Sequence, residues 1–163
     1  MTPSLDHLNP DFRDLLRALT DAGAELVIVG AYALSFHGAP RASGDIDIFV
    51  NPTAENAAKV WRALLEFGAP LSAAGVTQAD FAKPDLVYQI GLPPRRVDVL
   101  TSISGVSFEE AWASRVQAMV DGRTVYLIGR EMFLRNKLAS GRPKDLADAA
   151  RLRRSAGSKP GRG

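Results

Sequence analysis

Two aspartates separated by one residue are the clearest chemical feature of the sequence. Asp45 and Asp47 lie in segment 45–50, which alternates between polar and apolar residues as a half-buried strand does. Residues i and i+2 of a strand point to the same face, so the two carboxylates lie side by side. Paired carboxylates bind hard cations such as Mg²⁺ or Mn²⁺, and without a cation they raise each other's pKa. The alternative is an edge strand with two solvated acids.

A third acid occurs in a second alternating segment. Asp98 lies between two valines in segment 96–100. If this strand neighbours the first, Asp98 joins the same acidic face, where it would ligate a metal ion or take a proton from a hydroxyl group. Asp80 and Asp85 are competitors for this role, but neither lies centrally in an alternating strand.

A turn of small residues precedes the acidic pair. Residues 26–29 form a short apolar run typical of a buried strand, and Gly30 and Ala31 follow where a short helix is predicted. The N-terminus of a helix offers free backbone N–H groups to a phosphate, and small side chains would let a triphosphate approach the backbone. Arg41, just before the acidic strand, would add a phosphate contact.

These pieces together resemble the minimal nucleotidyltransferases of the DNA polymerase beta-like superfamily, and most of all the AbiEii-type proteins, which include nucleotidyltransferase toxins. The matching segments are 29–34 (VGAYAL), 41–47 (RASGDID), Asp98 and 136–148 (NKLASGRPKDLAD). The similarity covers most of the chain, from residue 25 to residue 152. It departs from the superfamily pattern at Ala31, where serine or glycine usually follows the first glycine.

The resemblance implies roles for individual residues. Asp45, Asp47 and Asp98 would be the metal ligands and, with Lys137, the catalytic residues. Nucleotide binding would fall to residues of three motifs: Gly30, Ala31, Arg41, Ser43, Arg142, Lys144, Asp145 and Asp148. Simpler explanations exist for three of them, since Lys144 and Asp148 have the spacing of a surface ion pair and Asp145 suits a helix N-terminus.

The function expected on this basis is the metal-dependent transfer of a nucleoside monophosphate from an NTP to a hydroxyl group. The acceptor would be RNA, a protein side chain or a small molecule such as an antibiotic. The family resemblance adds a toxin–antitoxin or phage-defence setting, with a cognate antitoxin as partner. The alternatives are an inactive nucleotide- or nucleic-acid-binding module of the same fold and a small α/β interaction domain.

Charge and composition indicate possible partners and exclude some kinds of site. Residues 130–163 carry ten Lys and Arg against three Asp and Glu, which predicts either contact with phosphates or a solvated, arginine-rich helix face. The chain has no cysteine, so a disulfide and a thiolate metal site are excluded. No apolar run is long enough to cross a membrane, and segment 1–10 lacks the apolar core of a signal peptide, so we expect a cytoplasmic protein with no membrane partner.

The elements that position these residues alternate along the chain. Strands are expected at 26–29, 45–50, 86–90, 96–100, 118–120 and 124–128, and helices at 11–22, 31–36, 53–67, from 107, 130–139 and 143–154, with a loop over 68–84. Helices interspersed with hairpins favour an α/β (α+β) fold, a mixed sheet of four to five strands with helices packed on it. Residues 1–154 are expected to form one nucleotidyltransferase-like domain, followed by a disordered tail over 155–163.

Overall fold

A computed structural model describes residues 2–39 and 44–157 of the chain. Its strands are β1 Leu26–Val29, β2 Ile46–Val50, β3 Val87–Ile90, β4 Val97–Leu100, β5 Val116–Val120 and β6 Arg123–Leu127. Its α-helices are α1 Pro10–Asp21, α2 Gly30–Phe36, α3 Ala54–Phe67, α4 Leu71–Ala74, α5 Phe108–Ala113, α6 Arg130–Ser140 and α7 Pro143–Gly157. The expected loop over 68–84 contains α4 and a 3-10 helix, Gln78–Ala82.

All of these strands join one mixed sheet, in the order β3-β4-β2-β1-β6-β5. The central strand β2 pairs antiparallel with β1 and parallel with β4, and β1 pairs parallel with β6. The mixed α/β fold expected from the sequence is therefore confirmed, with six strands in place of four or five. The count is higher because both predicted hairpins extend the same sheet, one at each edge.

Helices cover both faces of the sheet, and this burial explains the apolar pattern of the strands. Every residue of β1 is buried, as expected for a central strand with packed neighbours on both sides. On the face that carries the aspartates, Phe49 is 1% exposed and packs edge-to-face on Phe108 of α5. Near Asp47 and Asp98 this face stays open, and both aspartates line a cleft there.

Helix ends follow local capping chemistry. Asn9 caps α1, because its side chain accepts the N–H of Phe12 at 2.9 Å while Pro10 takes the first helical position. Ser107 and Glu110 form a capping box at the start of α5. Helix α7 continues to Gly157, three residues past the predicted domain end at 154, and residues 158–163 of the predicted tail lie outside the described residues.

Within residues 2–39 and 44–157, no helix combines the length and apolar character that a membrane span requires.

Candidate active site

Asp47 and Asp98 lie directly beside each other on neighbouring parallel strands. The register of β2 and β4 pairs Asp47 with Asp98, and paired strands lie about 4.8 Å apart. Both side chains point to the same face, because residues in register across a sheet share a face. The sequence expectation that a third acid joins the acidic face is therefore met in the structure.

The pKa of the Asp47 carboxyl shows how unfavourable this arrangement is without a cation. Burial, the negative charge of Asp98 and a hydrogen bond with it raise the pKa of Asp47 to about 6. The positive charges of Lys137 and Arg96 oppose this rise but do not cancel it. Asp47 is thus a carboxylate whose negative charge is only partly compensated by its neighbours.

Asp45 immediately precedes β2 and is held by Arg96. The backbone N–H of Arg96 donates to Asp45 Oδ1 at 2.9 Å, and Arg96 Nη2 lies 3.6 Å from Asp45 Oδ2. The same guanidinium donates from Nε to Asp98 Oδ1 at 2.7 Å and from Nη2 to Asp98 Oδ2 at 3.2 Å. Arg96 therefore connects the two acids on either side of Asp47.

The donor set of this acidic group fits a hard divalent cation, although the side chains are not arranged around one. Carboxylate oxygens are the ligands that Mg²⁺ and Mn²⁺ prefer, and the raised pKa of Asp47 marks a position where added positive charge would stabilise the site. In the part of the chain that the structure describes, no three His, Cys, Asp or Glu side chains are placed to hold a metal ion together. The guanidinium of Arg96 lies against Asp45 and Asp98 instead.

Gly30 makes room for the Asp47 carboxylate. The residue has a φ of +73°, and a Cβ built on it would lie 2.2 Å from Asp47 Oδ2 and 3.1 Å from Asp47 Cγ. A side chain here would strain the backbone and displace the carboxylate. The expected small-residue turn thus has a second purpose beyond phosphate access, because it allows α2 to begin directly against the acidic pair.

A second charged group lies where α6 and α7 meet. Lys137 of α6 is 9% exposed, and its Nζ lies 3.2 Å from Asp145 Oδ1 and 3.8 Å from Asp148 Oδ2, both on α7. Asp145 and Asp148 are 1% and 2% exposed. The alternative of a surface ion pair for Asp148 is therefore wrong, since this carboxylate is buried beneath Lys137.

Asp145 is compensated far more fully than Asp47. Its Oδ2 accepts hydrogen bonds from the Ser140 hydroxyl and, at 2.6 Å, from Arg142 Nε. Burial opposes ionisation, but these two hydrogen bonds and the positive charge of Lys137 outweigh it and lower the pKa of Asp145 to about 2. This carboxylate stays ionised across the physiological pH range and fixes the side chains around it.

One cleft of about 430 Å³ joins the two charged groups. Its lining includes most of the candidate residues: Gly30, Ala31, Asp45, Asp47, Asp98, Lys137, Arg142, Lys144 and Asp145. A smaller cavity of about 200 Å³ shares Gly30, Asp47 and Lys137 with it and adds Ser102, Ser104 and Asn136. Asp148 lines neither cavity, and Arg41 and Ser43 lie outside the described residues.

A cavity of about 490 Å³ lies elsewhere and contains none of the candidate residues. Carboxylates of α1 and Glu66 of α3 line it, together with Arg17 and Arg95. Asp14 and Asp21 already pair with Arg17 and Arg123 there. We therefore place the chemistry in the smaller cleft, where partly compensated carboxylates meet cations.

Sequence reasoning missed two contributors to the site. Arg96 directly precedes β4 and is separated from Asp98 by one residue, so the two side chains share a face. This spacing could have revealed Arg96 as a partner of Asp98. Ser140, at the end of α6, gave no such signal, because its bond to Asp145 depends on how α7 returns against α6.

Comparisons with known proteins identify the fold. No family model matches the chain, and no curated protein matches it by sequence. Among solved structures, ANT(2'')-Ia in complex with adenylyl-2''-tobramycin aligns with a TM-score of 0.57 and 17% identity, over 91% of this chain and 88% of that chain. Lincosamide antibiotic adenylyltransferase LnuA with bound lincomycin aligns with a TM-score of 0.51 and 15% identity, over 88% of this chain and 94% of that chain.

A third solved structure, an antigenic nucleotidyltransferase-like protein from Paracoccidioides brasiliensis, aligns with a TM-score of 0.51 and 19% identity, over 93% of this chain and 78% of that chain. At these identities the similarity shows a common fold and no more. The chain has the nucleotidyltransferase fold, as its sequence motifs predicted. The closer resemblance to AbiEii-type proteins stays a prediction.

Proposed function

We propose that the protein is a nucleotidyltransferase that transfers a nucleoside monophosphate from an NTP to a hydroxyl group, with Mg²⁺ or Mn²⁺ as cofactor. The observation that carries this proposal is the pairing of Asp47 with Asp98 in a cleft that also contains Lys137, Arg142 and Lys144. Carboxylates suited to a metal ion and cations suited to phosphate are the two requirements of nucleotidyl transfer.

Asp47 and Asp98 would hold the metal ion, with Asp45 as a further ligand. When bound, the ion would polarise the α-phosphate and stabilise the leaving pyrophosphate. Its positive charge would also relieve the repulsion that raises the pKa of Asp47.

Residues of the cleft would also bind the triphosphate and accept the proton of the acceptor hydroxyl. Lys137, fixed by Asp145 and Asp148, presents its ammonium group to the triphosphate, and Arg142 and Lys144 extend the positive wall of the cleft. The acceptor hydroxyl oxygen forms the new bond to the α-phosphorus, pyrophosphate leaves, and Asp98 takes the hydroxyl proton. Gly30 and Ala31, which are small and line the cleft, would let the phosphates approach the backbone there.

Hydroxylated antibiotics are the first acceptors to test, because two of the proteins with this fold are solved with tobramycin adenylylated at the 2'' position and with lincomycin. RNA and protein acceptors follow from the resemblance to AbiEii-type proteins. We include in the proposal a toxin–antitoxin or phage-defence setting, with a cognate antitoxin as partner, on that resemblance alone.

The test is incubation with each α-³²P-labelled NTP, Mg²⁺ or Mn²⁺, and panels of aminoglycosides, lincosamides, total RNA and cell protein. We expect label on one acceptor class and release of pyrophosphate. Asp47→Asn and Asp98→Asn should each lower the transfer rate at least 100-fold, whereas Asp85→Asn, which changes an exposed carboxylate outside the cleft, should leave it unchanged. Nucleotide binding without transfer to any acceptor would favour the inactive binding module, for which Ala31 in place of serine is the supporting feature.

A further inference from the structure

Arg96 binds the carboxylates on both sides of Asp47. Its guanidinium donates to both oxygens of Asp98, at 2.7 and 3.2 Å, and Nη2 lies 3.6 Å from Asp45 Oδ2. The planar fork of arginine suits this two-point contact with a carboxylate. One cation of the chain thus neutralises two of the three acids.

A divalent metal ion and the Arg96 guanidinium compete for the same atoms. Carboxylate ligands of Mg²⁺ lie about 2.0–2.1 Å from the ion, so an ion on Asp98 must approach the same two oxygens that Arg96 now contacts. The two positive groups would also repel each other at this short range. Binding of the metal ion therefore requires at least part of the Arg96 contact to break.

The position of Arg96 allows such a change. Arg96 directly precedes β4 and lines the cleft, and its side chain is 27% exposed. Its backbone N–H holds Asp45 Oδ1, a contact that persists wherever the side chain points. The guanidinium is therefore free to turn into the cleft while Asp45 stays beside the acidic pair.

We propose that Arg96 is a resident counter-cation of the acidic site, that a divalent metal ion displaces its guanidinium from Asp98, and that the released guanidinium binds the phosphate groups of a ligand in the cleft. This inference deepens the proposed function and rests on it for the identity of the ligand. It assigns one residue two successive partners, first carboxylate and then phosphate.

The first test measures Mn²⁺ binding without nucleotide, from the electron paramagnetic resonance signal of free Mn²⁺. We expect R96Q to bind Mn²⁺ about tenfold more tightly than the unmodified protein, because the competing cation is gone. The matched control is R95Q, which removes a neighbouring exposed arginine outside the cleft and should change Mn²⁺ affinity less than twofold. An unchanged or weaker Mn²⁺ affinity in R96Q, or an equal gain in R95Q, overturns the proposal.

The second test measures binding of tripolyphosphate in the presence of saturating Mg²⁺. Here R96Q should bind about tenfold more weakly, while R95Q again serves as the control. One substitution then moves two affinities in opposite directions, a result that a purely structural ion pair does not produce. Tripolyphosphate affinity unchanged in R96Q contradicts the phosphate-binding step.

Measurements on the unmodified protein cover the case in which R96Q does not fold. The NMR signal of the Arg96 Nε–H, assigned by its loss in R96K, should move on titration with Mg²⁺ as the bond to Asp98 breaks. A signal that stays in place at saturating Mg²⁺ overturns the proposal, and so does a lack of Mn²⁺ binding in every variant.

The two proposals fail in different ways. If the affinity shifts appear and no NTP supports label transfer, the proposed transferase activity is wrong and the role of Arg96 stands. If label transfer occurs and R96Q binds Mn²⁺ like the unmodified protein, the role of Arg96 is wrong and the transferase activity stands.

Discussion

Two acidic groups line the same cleft, and they differ in how completely their charge is balanced. On the sheet, Asp47 lies beside Asp98, and its pKa is raised to about 6. On the helices, Asp145 contacts Lys137, Arg142 and Ser140, and its pKa is lowered to about 2. The sheet group (Asp45, Asp47 and Asp98) gains from an added cation. The helical group (Lys137, Arg142, Asp145 and Asp148) already contains its cations. In the proposed function, the sheet supplies the metal-binding acids and the helices supply a preformed support for Lys137.

The largest expected effect comes from removing the cation of the helical group. Lys137→Met leaves Asp145 and Asp148 buried without their ammonium partner, and loss of one member of a buried ion pair costs about 3–5 kcal/mol. Urea denaturation at pH 7.5 should show this decrease in the free energy of unfolding. Lys144→Met, on the exposed rim of the same cleft, should change it by less than about 0.5 kcal/mol.

A companion variant separates charge from packing at Lys137. Lys137→Met combined with Asp148→Asn should recover part of the lost stability, because one uncompensated charge is removed. No recovery, or a loss below about 1 kcal/mol in the single variant, would show that the helical group does not depend on Lys137.

The sheet group should respond in the opposite direction. Because folding raises the pKa of Asp47 from 3.8 to about 6, the folded chain takes up a proton in this pH range and becomes less stable as pH rises through it. Each pKa unit corresponds to about 1.4 kcal/mol, so Asp47→Asn should stabilise the metal-free protein by about 1–3 kcal/mol at pH 7.5. Below about pH 4 the advantage should vanish.

Asp45→Asn is the matched control for this prediction. Asp45 accepts the Arg96 N–H and lies near its guanidinium, so the substitution should give no stabilisation. Denaturation curves at pH 7.5 and pH 4 compare the two variants. A decrease in stability of Asp47→Asn at pH 7.5 would mean that the carboxylate is structural and that the two acidic groups do not differ as described.

Gly30 tests whether the space beside Asp47 is needed. Gly30→Ala places a Cβ 2.2 Å from Asp47 Oδ2 at a φ of +73°, and should cost about 1–2 kcal/mol in unfolding free energy. Gly122→Ala is the control, since Gly122 also has a positive φ but nothing lies within 4 Å of its Cβ position. Equal losses in the two variants would show that backbone strain alone matters and that Asp47 is not displaced.

The sequence predicted the sheet group better than the helical group, for physical reasons. Alternation placed Asp47 and Asp98 on one face of two short strands, and apolar burial fixed their register. The same alternation places Arg96 on that face. Its contact with Asp45, however, depends on the pairing of strands about fifty residues apart. Local spacing could not reveal that pairing.

The surface ion pair considered for Asp148 was wrong because helical spacing describes one helix at a time. The i, i+4 rule linked Asp148 to Lys144 on the same helix, whereas the turn at Gly141 brings α7 back against α6 and buries Asp148 beneath Lys137. The family resemblance had singled out the same residues without indicating that two of them would support the third.

The smallest expected effect distinguishes the exposed cation of the helical group from the buried one. The Arg142 side chain is 73% exposed, although Nε contacts Asp145 Oδ2 at 2.6 Å, and exposed ion pairs contribute about 0–1 kcal/mol. Arg142→Gln should therefore lower the free energy of unfolding by less than about 1 kcal/mol, while Lys137 and Ser140 still hold Asp145. Urea denaturation beside Lys137→Met measures the difference between the two. A loss as large as that of Lys137→Met would mean that Asp145 depends on its exposed partner, and that the helical group requires cations at its surface just as the sheet group does.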